Sequence, residues 1–188
     1  MSTSETRYIL LLRNPTDRAV SYLFHWHREK LIYNHLNHTQ FTAKIVHAEM
    51  VNRSTELGQC MTELNELQCF YKCVGRDGDM NCLLRNSLYI IILEEAFRFI
   101  PRDRVLIMDM ADYSRDEIGH VEKITRHFQI PMRKNAGLDK HIYNKGRKNA
   151  VWPETIAMLD KLFMPYNKRL AVFLGDNKWL YNREDKQS

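Results

Sequence analysis

Two short apolar runs, Tyr8-Ile9-Leu10-Leu11-Leu12 and Arg104-Val105-Leu106-Ile107-Met108, constrain this chain more than any other feature. Neither run alternates polar with apolar residues, so each reads as a strand covered on both faces. The stretches between them carry helical spacing, which makes the connection a helical crossover and the pairing parallel. The expected architecture is α/β, with few parallel strands surrounded by helices. Two strands are too few for a complete doubly wound sheet. The expectation is therefore a fold incomplete at the N-terminus, its other strands lying in sequence not present here.

The first run stops at Arg13-Asn14-Pro15. Asn14 can cap a helix and Pro15 suits its first turn. A helix is predicted from there to about Tyr33, with Ala19, Tyr22, Leu23 and Trp26 along one side. Phe41, Ile45, Ala48 and Val51 fit helical spacing, as do Leu57, Met61, Leu64 and Leu67. Gly75–Gly78 reads as a polar turn, and Leu83–Phe99 as one long, mostly buried helix ended by Pro101. Ser114-Arg115-Asp116-Glu117 has the form of a capping box and predicts a helix to about Phe128. Pro131–Asn149 is polar and basic and reads as a loop. Pro153 opens a further helix with Ile156, Leu159, Leu162 and Phe163 inward, interrupted or restarted at Pro165 and closed by Gly175. No internal repeat marks a second domain, so residues 1–188 read as one domain.

With 188 residues, 44% of them hydrophobic, the chain is long enough to bury a core. That composition excludes collagen, a low-complexity linker and a disordered tail. The mean hydropathy is −0.49, and no apolar run approaches the roughly 18 residues of a membrane span. Met1–Thr6 lacks the charged-then-apolar plan of a secretion signal. The net charge of +5 suits an anionic partner such as nucleic acid, an anionic membrane, a phosphorylated cofactor or an acidic polysaccharide. It is also an ordinary value for a soluble surface.

The four cysteines, Cys60, Cys69, Cys73 and Cys82, are spaced C-x8-C-x3-C-x8-C. Zinc modules use paired tight knuckles, which this spacing lacks. Two disulfides fit instead, with three connectivities open. Two glycosylation sequons, Asn37-His38-Thr39 and Asn52-Arg53-Ser54, point with the cysteines to a secretory lumen.

The segment richest in chemistry is Arg13-Asn14-Pro15-Thr16-Asp17-Arg18-Ala19-Val20-Ser21. A strand ends there and a helix begins, and the first backbone N–H groups of a helix attract anions. Arg13 stands at the carboxyl end of the strand, the usual ligand edge of an open parallel sheet. Its planar fork suits a phosphate, and Ser21 could add a hydroxyl donor. The plain alternative is a capped helix with solvated arginines. A second basic stretch, Lys145-Gly146-Arg147-Lys148-Asn149, offers a glycine for close backbone approach beside three cations. Alone it would read as a solvated linker.

Together these segments resemble the sulfotransferases. Arg13-Asn14-Pro15 with Arg18 and Ser21 is similar to that family's strand–helix for the 3′-phosphate of 3′-phosphoadenylyl sulfate. Lys145-Gly146-Arg147 resembles the late loop that closes over the nucleotide in the heparan and chondroitin branch. Val105–Ser114 is similar to the family's later strand and acidic turn, and the stretch from Trp152 to Leu170 to its terminal helix pair. The likeness runs in order from about Arg7 to Trp179. It looks closest to the enzymes that add a 6-O-sulfate to N-acetylgalactosamine 4-sulfate.

The resemblance implies a partial P-loop-like fold, with Arg13 and Ser21 on the 3′-phosphate and Lys145, Gly146 and Arg147 covering the nucleotide. It implies sulfuryl transfer to a glycosaminoglycan hydroxyl, of chondroitin or dermatan type, with no metal and no nucleic acid. It implies a full-length type II membrane protein of the Golgi lumen, attached only through an N-terminal anchor. The family's turn for the 5′-phosphosulfate and its general base have no counterpart ahead of Arg13, so no catalytic residue is assigned. This chain is expected neither to bind the donor tightly nor to turn over alone. A non-catalytic polyanion-binding module on the same fold is the alternative. A nucleic-acid-binding domain would explain the charge and none of the ordered motifs.

Other candidates read as structural. His25 and His27 are two apart and face different sides of a helix, and His47 fits an interior or boundary position. The adjacent carboxylates Glu94 and Glu95 cannot converge and read as a solvated helix edge. Asp109 and Asp112 follow the second strand, and a role in the turn is preferred for them.

Overall fold

The computed structural model describes residues 6–37, 39–72, 82–131 and 151–183. The chain divides into two compact units, one of Met1–Arg13 with Glu94–Lys145 and one of Asn14–Leu93 with Gly146–Ser188.

In the first unit, β1 (Tyr8–Leu12) pairs in parallel with β2 (Val105–Asp109), with Tyr8 opposite Val105 and Leu12 opposite Asp109. The α/β expectation holds. Helix α5 (Met110–Arg115) follows β2 directly, and α6 (Glu117–Phe128) comes after it. The end of α6 ties to the starts of both strands. Arg7 Nη1 donates to the His127 carbonyl at 2.8 Å, and the His127 ring meets the Arg104 carbonyl at 3.2 Å. The expected capping box at Ser114 does not form. Asp109, at the strand end, accepts from the Ala111 and Asp112 N–H groups and starts α5 earlier. Ser114 falls inside that helix and returns its hydroxyl to the Met110 carbonyl. Asp116 then caps α6 through the Gly119 N–H at 2.9 Å, and a Cβ on Gly119 would collide with that carboxylate.

The second unit holds most of the buried core. Helix α1 (Pro15–Arg28), α2 (Ala43–Glu63), α3 (Glu66–Tyr71) and α7 (Pro153–Leu174) pack around Leu23, Val46, Met50, Leu57, Leu159, Phe163 and Leu170. Leu83, Leu84, Leu88 and the first residues of α4 (Tyr89–Ala96) join them. Helix α1 ends at Arg28, short of the expected Tyr33, because the chain turns through left-handed Lys30 and Tyr33. That turn lays His27 flat on Phe41, with ring centroids 4.0 Å apart, and sets its Nε2 against the Leu36 carbonyl.

Helix α2 buries a face other than the one its apolar pattern suggests. Val46, Glu49, Met50, Leu57 and Cys60 point inward, and Val51 is exposed. Glu49 tolerates burial because Tyr33 Oη donates to it at 2.7 Å and Arg53 Nε at 2.7 Å. Arg53 also reaches Glu56 at 2.7 Å. Burial works against the Arg53 charge, yet Glu49 and Glu56 outweigh it and hold the guanidinium above its ordinary value. The Leu57–Leu67 spacing is not one helix either. α2 stops at Glu63, and Asn65 with Gln68 builds a capping box for α3.

The single long helix expected over Leu83–Phe99 is broken. Arg18 Nη1 donates to the Leu83 carbonyl and to Ser87 Oγ, both at 3.1 Å. The Ser87 N–H turns instead to the Leu84 carbonyl, which makes Arg85–Ser87 a tight 3₁₀ turn ahead of α4. Helix α7 corrects the reading in the opposite sense, running unbroken through Pro165. Proline there removes one backbone hydrogen bond on an exposed side. Leu159, Phe163, Asn167 and Leu170 are buried on either side of it and hold the helix together. Gly175 ends α7 with φ +69°, as expected of a glycine stop.

A disulfide joins Cys60 of α2 to Cys69 of α3, with Cα atoms 5.8 Å apart. Cys82 is disulfide-bonded as well, and Cys73 lies outside the described residues. The bridge closes a short loop around the α2–α3 corner. Replacing Cys60 and Cys69 together by serine should cost about 2–3 kcal/mol, the loop-closure entropy of such a span. Urea unfolding of oxidised parent and variant measures it. Equal midpoints would show that the corner is already fixed by packing.

Tyr33 supplies a pH marker. Burial, then the hydrogen bond and charge of Glu49, push its phenol up to about 12. A group with a raised folded-state value contributes stability fully present below its unfolded value of about 10. That contribution is lost as pH rises toward 12. Burial and the charge of Glu66 also raise Tyr166, so spectroscopic titration of the tyrosines should show a late component that shrinks in Tyr33→Phe. An undiminished late component in that variant would assign it elsewhere.

Candidate functional site

The junction from β1 to α1 follows the sequence reading closely. Asn14 precedes Pro15 and accepts the Asp17 N–H on its side-chain oxygen at 3.1 Å. Its Nδ2 donates to the Tyr181 carbonyl. Thr16 is buried and donates through Oγ1 to Asp160 Oδ1 of α7 at 2.6 Å. Arg183 completes the cluster, donating from Nε to Asp160 at 2.7 Å and from Nη2 to Asp17 at 2.8 Å. Burial opposes its charge, but the hydrogen bonds and charges of Asp160 and Asp17 outweigh that and raise its value.

These contacts change how the α1 terminus can meet an anion. Pro15 has no N–H. The Asp17 N–H is taken by Asn14, and the Arg18 N–H bonds the Asn14 carbonyl. The backbone cradle expected from the sequence is therefore largely occupied from within, and a carboxylate stands in its first turn. Arg18 is not a surface cation either. It is engaged by Leu83 and Ser87, lies 5.2 Å over the Tyr22 ring, and burial lowers its value from the ordinary one.

Two side chains of the segment remain open. Arg13, between Leu12 and the Asn14 cap, is half-buried, and among the described residues its guanidinium has no hydrogen-bond or ion-pair partner. Ser21 is exposed, and its hydroxyl is equally unengaged among the described residues. Other helical hydroxyls behave differently. Ser54, Thr55, Thr62, Ser114 and Thr125 all fold back onto carbonyls of their own helices, and Thr16 and Thr155 bond side chains of other helices. Lys145, Gly146 and Arg147 lie outside the described residues.

The remaining candidates settle into structural surroundings. His25 is exposed beside Arg28 and Glu29, and His27 is buried. His47 Nδ1 meets Thr155 Oγ1 at 2.8 Å, and its ring lies 5.4 Å from that of Trp152. Glu95 pairs with Arg98, Asp112 pairs with Arg115, and Asp109 is the α5 cap. Asn37 lies in an exposed turn whose Oδ1 accepts from Thr39 and Gln40, whereas Asn52 is exposed in the middle of α2. Among the described residues no helix is long and apolar enough to cross a membrane. None of them forms a group of three or more His, Cys, Asp or Glu side chains able to hold a metal ion.

Sequence reasoning singled out Arg13 and Ser21 and gave no sign of Asp160 or Arg183. Both stand far along the chain from α1, and nothing local marks them as its partners.

Comparison with known proteins bears directly on this segment. One similar protein, carbohydrate sulfotransferase 15 of Nototodarus sloanii, is 23% identical over 155 residues, covering 71% of this chain and 98% of its own length. The sulfotransferase domain matches residues 1–152, from ahead of β1 to the threshold of α7. With more than half of its length under that match, this chain belongs to the sulfotransferase family of enzymes.

Proposed function

We propose that the protein transfers a sulfuryl group from 3′-phosphoadenylyl sulfate to a carbohydrate hydroxyl, on a glycosaminoglycan of chondroitin or dermatan type. The acceptor oxygen attacks sulfur, and the bond from sulfur to the bridging phosphate oxygen breaks. Adenosine 3′,5′-bisphosphate leaves, and the hydroxyl proton passes to a base. Such a transfer depends on positioning and on neutralising developing charge. The observation that carries the reading is the pair of open donors, Arg13 and Ser21, in a segment whose other polar groups are engaged. In this scheme both hold the 3′-phosphate, and Lys145, Gly146 and Arg147 cover the nucleotide by family resemblance. The Cys60–Cys69 bridge supports an oxidising compartment, in keeping with the Golgi lumen.

Titrating the chain with adenosine 3′,5′-bisphosphate, at concentrations that reach the weak binding expected of it alone, tests the assignment, with adenosine 5′-phosphate as the control lacking the 3′ group. Arg13→Ala and Ser21→Ala should each weaken the bisphosphate by about 1–3 kcal/mol, the range for a hydrogen bond to a charged group. Neither should alter the monophosphate. Unchanged bisphosphate affinity in both variants would remove the site.

A further inference from the structure

Asp17 and Ser21 are four residues apart on α1, so their side chains share a face with Cβ atoms about 6 Å apart. An anion on the Ser21 hydroxyl would sit within a screening length of the Asp17 carboxylate, about 8 Å at physiological ionic strength. That carboxylate opposes the ligand proposed for Ser21. The structure supplies its counter-charge from the far end of the chain. Arg183 Nη2 reaches Asp17 Oδ1 at 2.8 Å, while its Nε is held by Asp160 Oδ2 at 2.7 Å. Asp160 is steadied in turn by the buried Thr16 hydroxyl at 2.6 Å. The guanidinium is thus fixed against Asp17 from two directions.

We propose that Arg183 is a positioning residue for the donor nucleotide, acting through Asp17. It offsets the field of the Asp17 carboxylate at Ser21 and holds that carboxylate on a guanidinium fixed by Asp160. The inference rests on the proposed role of Ser21, and it makes nucleotide affinity depend on a residue outside the strand–helix motif and outside residues 1–152. A purely structural tether between the C-terminal segment and α1 would use the same contacts. The two roles differ in what happens when the Asp17 charge is removed.

The experiment measures adenosine 3′,5′-bisphosphate binding to the full chain at low and physiological salt. Arg183→Gln should weaken binding roughly three- to tenfold at low salt, and less at high salt, as a screened interaction must. Adding Asp17→Asn to that variant should restore affinity to about the parent value, because the carboxylate that shares a helix face with Ser21 is then gone and Asp160 alone leaves the cluster with the parent's net charge. Asp17→Asn alone should bind a few-fold more tightly than the parent. An unchanged Arg183→Gln, or a double variant as weak as Arg183→Gln, would overturn the proposal in favour of a tether. Should Arg183→Gln fail to fold, Asp17→Asn decides alone, and weaker or equal binding counts against the idea. Loss of nucleotide binding in Ser21→Ala with none in Arg183→Gln sinks this inference and spares the site. Unchanged binding in both Ser21→Ala and Arg13→Ala sinks the site reading and this inference with it.

Discussion

The first turn of α1 is held by side chains and carbonyls from the other end of the chain. Asn14 reaches Tyr181, Thr16 reaches Asp160, and Asp17 reaches Arg183. Closing loops of such length costs entropy, though the cost grows only slowly with length. The burial of Leu159, Phe163 and Leu170 on α7 offsets it. Once α7 is packed, the three polar contacts come at little further cost in ordering. They fix the depth and rotation of α1, and with them the height of Ser21 on its exposed face. The same contacts use up the donors with which a helix terminus ordinarily binds anions. In the proposed site, recognition therefore falls to side chains rather than to the backbone.

Arginines in this protein divide by their neighbours. Arg18 is drawn inward by a carbonyl and a hydroxyl, and burial makes its charge harder to keep. Arg53 and Arg183 are also partly buried, but each meets two carboxylates, and their charges are strengthened. Breaking such a pair from one side leaves an uncompensated charge, which is why these arginines build structure. Arg13 has neither kind of partner among the described residues. A half-buried cation in that condition is costly to the fold alone and useful to an anion from outside.

Much of this was legible in the sequence, and several of the failures share a cause. The parallel strands, the Asn14–Pro15 start of α1 and the Gly175 end of α7 each follow from local chemistry acting over a few residues. Several errors arose where a polar side chain, near or far along the chain, overrode the apolar pattern. Arg18 splits the Leu83–Phe99 run by taking the Leu83 carbonyl. Glu49 looks like a solvent position and is inward, because Tyr33 and Arg53 satisfy it. Asp109 displaces Ser114 as a cap because it stands at the strand end, where the chain must turn first. The strand runs themselves read as covered on both faces, yet Tyr8 and Leu11 are exposed. Composition reports the environment a strand is suited to, and the cover it receives is a separate fact. Asp160 and Arg183 left no local signal at all, since their partners lie in α1.

A backbone cradle at a helix terminus takes almost any small anion, because its donors are amide groups common to every helix. A guanidinium just ahead of a helix and a hydroxyl nearly two turns into it would make a narrower demand. As the proposed site, they would select by where the charge sits on the ligand, and the proposed donor differs from ordinary adenine nucleotides by its 3′-phosphate. Selectivity of that kind requires α1 to be rigid, since a small misplacement of a positioning group lowers the effective concentration of the bound partner. The contacts from Asp160, Tyr181, Arg183, Leu83 and Ser87 provide that rigidity. On that proposal, fold stability and nucleotide discrimination would be coupled through the same side chains. A substitution that loosens the α1–α7 corner should be felt first as lost preference for the 3′-phosphate, and only later as unfolding.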